Sequence, residues 1–76
     1  MHLEDKLKVL ARIVGQSLVG KRVRVESDFR YVTGVVGRAW DETVVVIPDE
    51  FVGGDEDVRH KAERHLSIYD VKDVGS

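Results

Sequence analysis

The sequence predicts a mostly β domain: one N-terminal amphipathic α-helix followed by a strongly bent five-stranded antiparallel barrel. Three observations predict it. Apolar residues recur at helical spacing only near the start, the period then changes to two in valine-rich runs, and two glycines interrupt one of those runs.

Leu3, Leu7, Leu10, Ala11 and Val14 form the helical stripe over about residues 3–14. Glu4 and Lys8 stand four apart on the exposed side, and Gly15 is placed to end the helix. So short a stripe does not hold a helix by itself, so it is expected to lie on the open end of its own barrel or on a neighbouring subunit. Residues 21–27 then alternate valine with charge, the pattern of a strand with one buried and one wet face. After a short turn at Asp28-Phe29-Arg30, residues 31–39 form a second strand. Gly34 and Gly37 mark a bend or bulge in it, which lets one strand serve both halves of a small barrel. Trp40-Asp41-Glu42-Thr43 supplies turn chemistry, and the nearly continuous apolar run 43–47 is a third strand ended by Pro48. Residues 49–57, with Gly53-Gly54 and five acidic side chains, read as a mobile loop or a hairpin tip. Val58, His60 and Ala62 alternate with Arg59, Lys61 and Glu63, which fits a fourth strand, a helical turn being the alternative. Residues 66–69 and 71–74 close the chain as a final strand, or as two pieces broken at Asp70. The expected unit is one domain over residues 1–76, with the barrel over about 20–75 and of the SH3-like type.

Composition removes several functions. The formal net charge is −2, from 12 basic and 14 acidic side chains, so nothing draws the whole molecule to a duplex, and duplex DNA is not an expected partner. The absence of cysteine removes disulfides and thiolate metal sites. His60, Glu63 and His65 match no metal-ligand spacing, so neither a metal nor a cofactor is expected. Ser17, Ser27, Ser67 and Ser76 lack any flanking nucleophile signature and no glycine-rich phosphate loop occurs, so no enzyme is expected. The charged start and the lack of a long apolar run predict a soluble, cytoplasmic protein with no membrane partner. A chain this short buries only about 60% of its unfolded surface, which makes partner subunits a natural source of further burial.

Gly20-Lys21 before the first strand, Gly34 in a bent second strand, Trp40-Asp41 at the next turn and the apolar run Val44 to Ile47 resemble the first motif of the Sm-like (LSm) family. Leu66-Ser67-Ile68-Tyr69-Asp70-Val71 sits where that family's second motif falls. The resemblance covers nearly the whole chain in order of elements and a handful of residues in detail. It implies single-stranded RNA binding by a homo-oligomeric ring. Two departures fall at the RNA loops: Asp41-Glu42-Thr43 carries neither the family's Asn nor a Met or His, and Tyr69-Asp70 replaces an Arg-Gly. The opening Gly-Lys-Arg-Val-Arg-Val also resembles KOW-type and other SH3-like modules, which share the barrel without the ring and imply a protein-interaction or assembly module.

The candidate site follows from both arguments. Arg22, Arg24, Arg30 and Arg38 have the guanidinium forks that match phosphate oxygens, or else form a solvated face balanced by Glu26, Asp28 and Asp41. Phe29, Tyr31, Trp40 and Tyr69 offer faces for base stacking, or else Tyr31 and Trp40 fill the core. The resemblance adds Asp41, Thr43 and Asp70, at the positions of the family's RNA loops. It also implies a seam between subunits, joining the fourth strand of one copy (Val58, His60, Ala62) to the fifth of the next (Leu66, Ile68, Val71).

Overall fold

A computed structural model describes residues 3–75, with the side chains of residues 3–5 outside the description. The burial expected of Leu3 and the pairing of Glu4 with Lys8 therefore lie outside the described residues. The chain folds as helix α1 (Leu3–Leu18), strands β1 (Arg22–Ser27), β2 (Arg30–Trp40) and β3 (Thr43–Pro48), helix α2 (Glu56–Ala62), and strands β4 (Arg64–Ser67) and β5 (Val71–Gly75). Single 3₁₀ turns occupy Asp49–Phe51 and Ile68–Asp70.

All strand pairs are antiparallel, in the order β4-β3-β2-β1-β5. The sheet is not closed, and β4 and β5 form its two edges. β2 serves both halves as its glycines predict. Its first half pairs with β1 from Arg30 to Val35, and its second with β3 from Gly34 to Trp40. At the overlap a side chain on Gly34 would fall on the backbone of Ile47, so only glycine lets the two strands come this close. Gly37 is skipped in the ladder between Val36 and Arg38, where β2 bulges.

Inward-facing Val23, Val25, Val36, Val44 and Val46 are almost wholly buried and form the core with Ala39 and Ile68. Each contributes on the order of 1.5–3 kcal/mol by burial. The helix closes one end of this core through Ala11, Gly15 and Leu18. Gly15 does not stop the helix as the sequence suggests. A Cβ there would lie 3.2 Å from that of Ala39, so the glycine is the contact point between α1 and β2, and α1 continues to Leu18. The true terminator is Gly20, at φ 86, whose N–H donates to Val36 at 2.7 Å. Leu7, Leu10 and Val14, expected on the core side, stand about half exposed.

The fourth strand is displaced from its predicted place. Val58, His60 and Ala62 lie in α2, not in a strand, because Asp55 caps the helix by accepting from the Val58 N–H at 2.9 Å. Glu56 and Asp57 in the first turn and Arg59, His60 and Lys61 in the last also match the helix dipole. Leu66 and Ser67 belong to β4 rather than to the last strand. Ile68 is buried in the 3₁₀ turn and belongs to no strand, so of the six expected seam residues only Leu66 and Val71 sit on edge strands. Among the described residues no helix is long and apolar enough to cross a membrane.

Candidate nucleic-acid interface

Trp40, Asp41, Thr43, Tyr69 and Asp70 are brought to one end of the sheet, beside α1. The β2–β3 connection is a two-residue turn, Asp41-Glu42, closed by the Trp40–Thr43 pair, with Asp41 at φ 47. The Ile68 N–H donates to the Glu42 carbonyl at 2.8 Å, which ties this turn to the β4–β5 connection. The Tyr69 phenol is held above its ordinary range, first by a hydrogen bond with the Glu42 carboxylate, then by desolvation and the charge of Glu42. Arg12 of α1 reaches over to Asp41 at 3.1 Å. Sequence reading missed Arg12 and Glu42, since the spacing of a helix says nothing about which turn its charged face meets.

Trp40 and Tyr31 are both exposed, at 42% and 68%, so neither fills the core. Arg38 lies over the Trp40 ring at 5.3 Å, and His65 of β4 meets that ring edge-on at 5.6 Å. Arg24 lies over the Tyr31 ring at 5.1 Å, near the other end of β2. The outward face thus presents two arginine–aromatic pairs, the chemistry on which unpaired bases stack.

The arginines are also paired with carboxylates. Arg22 holds Asp49 through two bonds, at 2.5 and 3.2 Å, which raises its already high pKa further. Arg24 meets Glu26 at 2.7 Å, and Arg38 meets Glu63 at 3.3 Å. The balancing acids are therefore Glu26, Asp49 and Glu63, with only Glu26 as the sequence suggests. The Arg22 and Arg24 pairs are exposed and worth about 0–1 kcal/mol, so a phosphate can displace their carboxylates at small cost, whereas the Glu63 side chain that meets Arg38 is mostly buried. Glu63 also lies 2.7 Å from Nδ1 of His60, and among the described residues no three His, Asp or Glu side chains gather as a metal site.

The arrangement splits the candidate set in two. Arg38, Trp40 and Thr43 lie where β2 pairs with β3, with His65 beside Trp40, while Arg22 and Arg24 lie on β1 at the other side of β2, paired with β5 just past the Ile68–Asp70 turn. No family model, no curated protein and no solved structure matches this chain.

Proposed function

We propose that the protein is a self-assembling binding module, Sm-like in kind, whose copies join β4 of one to β5 of the next in a closed ring that binds single-stranded RNA. The observation that carries this reading is the open sheet. Each edge presents a row of backbone N–H and C=O groups with no described strand beside it, and such an edge is a template on which another copy can pair. The Arg38–Trp40–His65 cluster supports RNA as the ligand, since stacking needs exposed aromatic faces with cations beside them. Trp40 is the single tryptophan, so its fluorescence reports directly on that surface. Quenching by a short uridine-rich RNA, weakened by Arg38→Ala and by added salt, is the expected result. Unchanged emission at saturating RNA removes this surface from the reading.

A second reading has its own observation. The carboxylates held by Arg22, Arg24 and Arg38, together with a net charge of −2, favour a protein-interaction or assembly module of the SH3-like kind that ignores RNA. Assembly without any change in Trp40 emission supports that one.

A further inference from the structure

A cleft of about 800 Å³ opens at the β1–β2 hairpin, at the other end of β2 from Trp40, within the usual size range of ligand pockets. Its floor is apolar: Val25, Val32 and Leu66 reach it from the core side of the sheet. Its walls are Phe29 and Tyr31, and Arg30 and Arg64 line it as well.

Three features set this cleft apart from ordinary surface. Phe29 stands wholly in solvent at 111% exposure, the least favourable place for so large an apolar side chain. It is held there in a tight turn with Asp28, both with left-handed backbones at φ 67 and 47, a conformation that is strained for a bulky residue. Lastly, Arg12, Arg22, Arg24 and Arg38 each hold a carboxylate, whereas among the described residues Arg30 and Arg64, like Arg59 in α2, hold none. Exposed aromatic surface, an apolar floor and two uncompensated guanidinium groups define a complement with both an apolar body and negative charge.

We propose that this cleft docks an acidic peptide segment carrying an aromatic or aliphatic anchor. The anchor rests on Val32 and Leu66 beneath Phe29, and its flanking carboxylates meet Arg30 and Arg64. The acids nearby favour peptide over RNA. Asp28 lines the cleft, and the two adjoining clefts around Tyr31 contain Glu26, Asp49 and Glu50. A phosphodiester carries a charge at every nucleotide and meets those carboxylates, whereas a peptide places its charges only at the arginines. The cleft lies at the other end of β2 from Trp40, and its Arg64 and Leu66 belong to the β4 edge, flanking His65.

The test is fluorescence anisotropy with a fluorescein-labelled peptide of one glutamate on each side of a central pair of phenylalanines and neutral residues beyond, beside the same peptide with lysines for glutamates. The glutamate peptide binds and the lysine peptide does not. Arg30→Glu combined with Arg64→Glu lowers the affinity at least about tenfold, and Arg30→Glu alone, which lies off the β4 edge, lowers it with the native mass unchanged. Methyl NMR of the unaltered protein needs no variant and shows the peptide shifting Val32 and Leu66. Equal binding of both peptides, no binding of either, full binding by the double variant, or shifts confined to other methyls overturns the proposal. So does a uridine-rich RNA that displaces the peptide and shifts the same methyls.

Discussion

Gly34 and Gly53 are both glycines near β3, yet their surroundings differ completely. A Cβ on Gly34 meets the Ile47 backbone, whereas one on Gly53 meets nothing within 4 Å. Gly34→Ala is expected to cost about 3 kcal/mol or more and Gly53→Ala less than about 0.5 kcal/mol, read from urea melts. Tyr69 gives a pH signature. Because its folded-state pKa is raised, the neutral phenol is the form the fold stabilises. That contribution is complete below the ordinary phenol value near about 10 and is lost as pH rises through the raised value. Thermal melts of the protein and of Tyr69→Phe are expected to converge in alkaline solution, and a gap that widens there contradicts the Glu42 hydrogen bond. If Arg22 and Arg24 exchange their carboxylates for phosphates when single-stranded RNA binds, replacing both with Ala lowers the salt slope of binding by about 1.4. An unchanged slope removes them from the interface.

At the scale of elements, the strands were legible where burial alternates and obscure where a helix is short. Val23 and Val25 between charged neighbours fix β1, and the glycines of β2 give its double pairing. The segment 58–62 deceived because Val58, His60 and Ala62 alternate. Val58 and Ala62 are also four apart, and the Asp55 cap with acids before and bases after was the better signal. Asp55→Ala is expected to cost about 1 kcal/mol locally, seen as faster amide exchange in α2 while the sheet stays protected. The joining of Asp41–Glu42 to Tyr69 was not legible, since it depends on long-range pairing that no local pattern encodes. The β4 edge has its own test. N–H groups along a strand point alternately to the two sides, so of His65→Pro and Leu66→Pro one removes a bond to β3 and the other a donor on the free edge. The second is expected to stay folded and lose its assembly; two folded variants of unchanged mass contradict the seam.

The whole molecule is a helix on an open sheet with edges it does not cover itself. Leu7, Leu10 and Val14 on α1 add half-exposed apolar surface to that picture. On the proposed assembly a chain of this size, with free edges and a small valine core, gains stability by association, and its melting temperature is expected to rise with protein concentration. The most direct test of the central claim is the native mass of the purified protein, measured alone and with a short uridine-rich RNA. The account predicts a closed species of several copies that gains the mass of the RNA. A monomer at every concentration, with or without RNA, contradicts it.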